Sequence, residues 1–283
     1  MSMQDKVVVV TGATSGIGEV AADRLAQKGA RIVFVARDRE RGEETRKHLR
    51  AIAGHTDHTV HYADLTLVAD QKRVAREIAD SEPQIDVLIN NAGAMFATRE
   101  VTSEGLEKTF ALNHISYFTI TNILLDRLKA TPHSRIVSTA SDAHRAGRLD
   151  LNDLQWEHHR YVGIGVYGNS KLYNVMFTRE LAKRLAGTGV TANCLHPGFV
   201  GTRFGHATGG FVAWAMKIAQ NFALTPEQGA ETIIWLADSD DVEGKTGGYY
   251  EKKKLVAPSR TAMDDVAARK LWDISAKIAG VGF

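Results

Sequence analysis

Val7-Val8-Val9-Val10-Thr11-Gly12-Ala13-Thr14-Ser15-Gly16-Ile17-Gly18 is the stretch that decides the fold. A continuous valine run is the pattern of a strand buried on both faces, as in a parallel sheet. Three glycines end that pattern, and an amphipathic segment from Ile17 to Lys28 follows, stopped at Gly29. A strand, a glycine-rich turn and a helix in this order make a phosphate site. The helix terminus offers unpaired amides and a positive dipole end, and missing Cβ atoms let the ligand approach the backbone. Three residues separate Gly12 from Gly16, so the spacing is not the common Gly-x-Gly-x-x-Gly.

Outward from this turn, apolar strands and amphipathic helices keep alternating. Strands are expected at Ile32–Val35, Thr59–Tyr62, Ile85–Ile89, Arg135–Ser138, Val190–Leu195 and Gly248–Glu251. Helices are expected at Arg39–Arg50, Val68–Ala79, Glu104–Lys129 and Tyr167–Leu185, with another opened by Pro226 and running to Ala237. The pattern predicts an α/β fold: one Rossmann-type domain over residues 1–283, a doubly wound parallel sheet of about seven strands with helices on both faces. Ligands of such sheets bind at the carboxyl ends of the strands.

With 44% hydrophobic residues the 283-residue chain has ample material for one core. Its 35 basic and 33 acidic residues nearly balance, which gives no reason to expect a nucleic-acid or membrane-surface partner. Cys194 is the only cysteine, so no intramolecular disulfide forms, and its strand setting reads as a buried, inert thiol. No apolar run is long enough to span a bilayer, and Met1 to Lys6 is not a signal sequence, which points to a cytoplasmic protein.

Tyr167 precedes Lys171 by four residues, which puts both on one helix face. A free phenol has a pKa of about 10, and a neighbouring ammonium is expected to pull it toward neutrality for proton exchange with an alcohol or carbonyl oxygen. The same spacing also decorates ordinary solvated faces, so its weight depends on company. At the end of the second strand, where an acidic residue would bind the ribose of NAD, stand Ala36 and Arg37. An arginine there suits a 2′-phosphate and favours NADP(H) over NAD(H), the alternative being a solvated side chain. Asp64 is placed to accept from an adenine amino group. Asn90-Asn91-Ala92-Gly93 ends the fourth strand in a tight turn. His55, His58 and His61 do not make a metal site, because His58 and His61 point to opposite faces of a strand.

Together these pieces resemble the short-chain dehydrogenase/reductase family over nearly the whole chain. The resemblance rests on Thr-Gly-x-x-x-Gly-x-Gly, Asp64, Asn-Asn-Ala-Gly, Tyr-x-x-x-Lys and Pro197-Gly198. It implies four catalytic positions. Asn113 distorts its helix and holds a water near the lysine, and Ser141 binds the substrate oxygen, with Ser138 as a competing candidate. Tyr167 exchanges the proton, and Lys171 orients the cofactor and tunes the tyrosine. It further implies cofactor contacts at Gly12, Thr14, Ser15, Gly16, Ile17, Gly18, Arg37, Asp64, Leu65, Asn91, Ala92, Gly93, Tyr167, Lys171, Pro197, Gly198, Val200 and Thr202.

The long segment between Ser141 and Tyr167, with Ser170-Lys-Leu-Tyr-Asn-Val-Met-Phe-Thr-Arg-Glu-Leu181, resembles the retinol dehydrogenase branch and its WW-domain oxidoreductase relatives. That branch implies an apolar aldehyde or ketone as substrate, and the lack of an amino-terminal anchor argues against a membrane retinoid. Phe199, Phe204, Phe211, Trp214 and Phe222 suggest an aromatic lid over residues 199–225, or else ordinary packing. A helical tail is expected around residues 262–280. A homodimer through the long helix and the Tyr167 helix is one option, with the segment before Tyr167 covering that surface as the other. The alternative function is a non-catalytic NADP(H)-sensing regulatory or interaction protein on the same fold.

Overall fold

The computed structural model describes residues 2–53, 57–199 and 224–282. Strand β1 (Val7–Thr11) pairs in parallel with β2 (Arg31–Ala36) on one side and β4 (Val87–Asn90) on the other. Strand β3 (Thr59–Tyr62) lies beyond β2, and β5 (Arg135–Thr139), β6 (Thr191–His196) and β7 (Tyr249–Glu251) continue past β4, all parallel. An antiparallel edge strand, β8 (Lys254–Val256), completes the order β3-β2-β1-β4-β5-β6-β7-β8. Connection order reverses between β1 and β4, which opens a crevice beyond their carboxyl ends.

The eighth strand was hidden in what reads as a solvated lysine run. Lys252 and Lys253 both have positive φ, 49° and 62°, and make the two-residue hairpin that returns the chain along β7. Glycine normally supplies that conformation, so its usual sequence mark is missing here.

Side-chain alternation along β1 feeds both layers. Val8 and Val10 join Ile32, Phe34, Leu25 and Ile233 in one core, which α1 (Gly16–Gln27) and α7 (Pro226–Asp238) help to cover. Val9 joins Val33, Ile78, Phe118 and Leu181 in the other, beneath α3 (Val68–Ser81), α5 (Ser116–Lys129) and α6 (Gly163–Arg184). Helix α2 (Arg39–Ala53) flanks β2 and β3. The helix expected from Glu104 starts instead as α4 (Lys108–Phe110), because Glu104 is used elsewhere: its carboxylate accepts from the Val68 and Ala69 amides and caps α3. The tail helix α8 (Asp265–Ala279) starts at Asp264, which accepts from the Val266 and Ala267 amides, and ends at Gly280 with φ 58°. Its Trp272 packs against Phe118 and Phe177, with ring centroids 4.8 and 5.6 Å away. Among the described residues no helix is long and apolar enough to cross a membrane.

Candidate active site

The glycine turn is shaped by what a side chain would hit. Gly12 has φ +72°, and a Cβ there would lie 2.9 Å from the Ala92 Cα; at Gly18 it would lie 2.1 Å from the Gly12 carbonyl oxygen. Ser15 precedes α1 in an extended conformation and makes no side-chain cap, which leaves the first-turn amides to an external acceptor. An uncapped amino terminus behind a glycine cradle fits the pyrophosphate of a dinucleotide. Thr14 is part of this turn, and the Arg41 guanidinium donates to its carbonyl (3.1 Å). Arg41 was not singled out from the sequence, since its turn contact spans 27 positions.

Asn91 holds the turn together. Its amide and that of Ala92 donate to the Thr11 hydroxyl (2.9 and 3.1 Å), its Nδ2 donates to the Thr11 and Gly12 carbonyls, and its Oδ1 accepts from Thr139 (3.1 Å). Asn91, expected to contact the cofactor, clamps the ends of β1, β4 and β5 together. Asp64 is partly engaged too: its Oδ1 accepts from the Thr66 amide and hydroxyl at 2.9 and 2.8 Å. No hydrogen bond to the other carboxylate oxygen is found among the described residues, and the next residue, Leu65, is buried. Arg37 is exposed just past β2, whereas Arg39 lies over the Tyr62 ring at 4.6 Å. His58 serves the fold: its Nδ1 accepts from the Ile32 amide (3.0 Å).

Across the crevice, α6 delivers Tyr167 and Lys171 one turn apart. Lys171 is 2% exposed, and its ammonium donates to the Thr139 carbonyl (2.9 Å) and lies 5.5 Å from the centre of the Tyr167 ring. Gly93 borders the same ground: a Cβ there would lie 3.2 Å from Asn113 Oδ1, closer than usual, and 3.5 Å from Lys171 Nζ, an ordinary contact. Tyr167 and Ser141 share a hydrogen bond between hydroxyls. Ser141 begins a 3-10 turn (Asp142–Ala146), and its Oγ accepts from the Ala143 amide (3.2 Å). The competing Ser138 is buried below, on the strand itself.

Buried His144 fixes the Ser141 backbone. Its Nε2 accepts from the Ser259 amide (3.0 Å), so its Nδ1 carries the proton and donates to the Ser141 carbonyl (2.8 Å). His196 ends β6, and beyond it Gly198 has φ +87° beside Leu224. Phe199 is exposed, with its carbonyl accepting from the Leu224 amide. Val200, Thr202 and the remaining lid aromatics lie outside the described residues.

The expected downward pull on Tyr167 is not found. Burial pushes its phenol up to about 12, and the Ser141 hydrogen bond offsets this only in part. Burial also pushes Lys171 down to about 7, which weakens the cation that was to do the pulling. Tyr167 is thus held protonated at neutral pH.

Asn113 lies on a single π-helical turn, Ala111–Ile115, between α4 and α5. Its side chain accepts from the Ala94 amide and donates to the Ala94 carbonyl and Ser170 Oγ, at 2.9, 2.9 and 3.0 Å. Ser170 in turn donates to the Tyr167 carbonyl (2.8 Å). The Asn113 carbonyl accepts from Asn174 Nδ2 (2.8 Å), so one of its two lone pairs already has a protein partner. Asn174 contacts His114 (3.3 Å), and His114 contacts Ser275 on α8 (2.8 Å), which ties the distorted turn to the tail helix. Cys194 is buried, with its thiol pushed up to about 12 by burial.

Comparison with known proteins follows the same outline. A profile described as short chain dehydrogenase matches residues 6–210. Retinol dehydrogenase 13 of Homo sapiens is 38% identical over 281 residues, covering 98% of this chain and 85% of its own. Retinol dehydrogenase 14 of Mus musculus is 40% identical over 298 residues, with 99% and 87% covered. Among solved structures, an uncharacterized protein from Mycobacterium paratuberculosis has a TM-score of 0.81 at 31% identity, with 100% and 96% covered. RhlG of Pseudomonas aeruginosa, solved as an NADP active-site complex, has a TM-score of 0.69 at 27% identity, with 88% and 94% covered.

Proposed function

The chain belongs to the short chain dehydrogenase family, and from that premise we propose an NADP(H)-dependent oxidoreductase that interconverts an alcohol and an apolar aldehyde or ketone. One observation carries the reading: Tyr167 hydrogen-bonds Ser141 and stands beside buried Lys171, at the same strand ends as the glycine cradle.

A bound nicotinamide supplies or accepts the hydride, and the chain's own residues manage the oxygen and the proton. In the reductive direction the Ser141 and Tyr167 hydroxyls hold the substrate oxygen. The Tyr167 Oη proton passes to that oxygen as it gains negative charge. A phenol raised to about 12 arrives protonated, as this direction needs. The phenolate left behind favours the charged form of Lys171, so the two groups stabilise each other once the proton has moved. Asn113 and Ser170 hold the Tyr167 backbone in place through the bonds described above. The glycine turn would hold the pyrophosphate at the α1 terminus, and Arg37 would pair with a 2′-phosphate.

Support for NADP comes from Arg37 and from the likeness to RhlG, solved with NADP. Support for an apolar carbonyl comes from the retinol dehydrogenase relatives and from exposed Phe199 and Ile164. The test is NADPH consumption with a panel of aldehydes, ketones and quinones, with NADH run in parallel. Apolar aldehydes or ketones should support turnover with NADPH. Equal use of NADH would remove the role given to Arg37, and no carbonyl-dependent turnover would leave a nucleotide-binding regulator.

A further inference from the structure

Asn90 Oδ1, Ser138 Oγ and the Tyr117 hydroxyl are among the buried polar atoms with no hydrogen-bond partner among the described residues. Their residues are 0%, 1% and 0% exposed. A buried polar group left unpaired is strongly unfavourable, and buried groups almost always find a protein or solvent partner.

Register and helix face turn the three groups toward one layer. Asn90 and Ser138 are register partners on β4 and β5. Strand alternation turns both toward α5 and α6, because Leu88 and Ile136, two positions earlier, belong to the core on that face. Asn90 Nδ2 donates to Thr121 Oγ1 on α5 (2.9 Å), and Tyr117 is one turn earlier on the same helix face. The Tyr117 ring centre is 5.7 Å from Lys171 Nζ, and Lys171 bonds the carbonyl of Thr139, next to Ser138.

We propose that Asn90, Ser138 and Tyr117 bind an internal water beneath the Tyr167–Lys171 pair, and that through it Tyr117 positions and solvates the Lys171 ammonium. The role in the reaction rests on the function proposed above; the water site itself does not. The water's own four hydrogen bonds are all accounted for. The water donates to Asn90 Oδ1 and Ser138 Oγ, accepts from the Tyr117 hydroxyl, and keeps one lone pair for an ammonium proton. Lys171 has three donors, of which the Thr139 carbonyl takes one. No covalent bond forms or breaks at this site. Tyr117 is a positioning residue, and none of the three groups belongs to the four proposed catalytic positions.

Tyr117→Phe is a clean probe, since it keeps the ring beside Lys171 and removes only the hydroxyl. Two measurements on the free protein read the result: a high-resolution crystal structure, and the titration of Lys171 followed by NMR of 13Cε-labelled lysine. In the wild type, ordered solvent should bond at least two of the three groups. In Tyr117→Phe that solvent should be lost or displaced, and the Lys171 midpoint should fall by about half a pH unit, as expected for loss of one hydrogen bond to the charged form. Ser138→Ala should move the midpoint the same way and carries the test if Tyr117→Phe does not fold. A dry site in the wild type, or an unmoved midpoint in the variants that fold, overturns the proposal; a purely packing role for Tyr117 predicts the unmoved midpoint. Both readouts are made without turnover. A shifted midpoint in a protein that reduces no carbonyl would keep the water site and reject the function. Turnover with an unmoved midpoint would do the reverse.

Discussion

The glycine turn after β1 is built by leaving atoms out, whereas the ground around Lys171 is built by packing polar groups in. At the turn, Gly12 and Gly18 keep backbone oxygens and amides within reach of a ligand, and a single added Cβ would collide with main chain at 2.9 or 2.1 Å. Around Lys171, a carbonyl, two tyrosine rings and the Asn113–Ser170–Tyr167 chain crowd the charge of a residue that is 2% exposed. The first region is therefore vulnerable to addition and the second to subtraction. Asn91 joins them, reaching Thr11 and Gly12 on one side and Thr139 on the other.

Three substitutions sharpen this contrast. The largest stability effect is expected at the turn. Gly18→Ala drives a methyl group into the Gly12 carbonyl, and because the obstacle is backbone, the turn must open. Denaturant unfolding should show a loss of about 3 kcal/mol, with NADPH binding lost as well. Wild-type stability in this variant would break the account of the turn.

Next is Lys171, where the sign follows from its burial. In the folded chain the ammonium gives up its proton near pH 7, whereas an unfolded lysine keeps it to 10.5. Across that window unfolding takes up a proton, so stability climbs with pH, by up to about 1.4 kcal/mol per unit. Below it both states are protonated and this contribution is flat. Lys171→Met removes the climb, which unfolding curves at several pH values would read. An unchanged climb in the variant would mean that the burial of Lys171 does not shape the pH profile.

The smallest of the three is Arg37→Ala. Removing an exposed guanidinium should leave stability unchanged and weaken NADPH by about tenfold, the scale of one lost charge-assisted contact, with NADH unaffected. Equal loss for both nucleotides would indicate that Arg37 does not discriminate them.

How much of this was legible in the sequence follows the same division. Thr11 to Gly18 was readable because strand, turn and helix are neighbours in the chain and the glycines announce the close approach. The Tyr167–Lys171 pair was readable from helical spacing, and Asn113 from the run around it. The role of Asn91 as a clamp was not, since its main partner is 80 positions away. Nor was the bond from His144 to Ser259, which spans 115 positions. The direction of the Tyr167 shift was missed for a different reason: spacing shows that a cation is near, but burial acts on the phenol and the ammonium alike, and burial wins. Strand β8 was missed because lysines, not glycines, occupy its turn.

The most direct test of Tyr167 as the proton-exchanging group is NADPH-dependent reduction of an apolar aldehyde by wild type and Tyr167→Phe, at matched NADPH occupancy fixed by a separate binding titration. The variant should keep its NADPH affinity and lose turnover by about a thousandfold. Turnover within about twofold of wild type would contradict it.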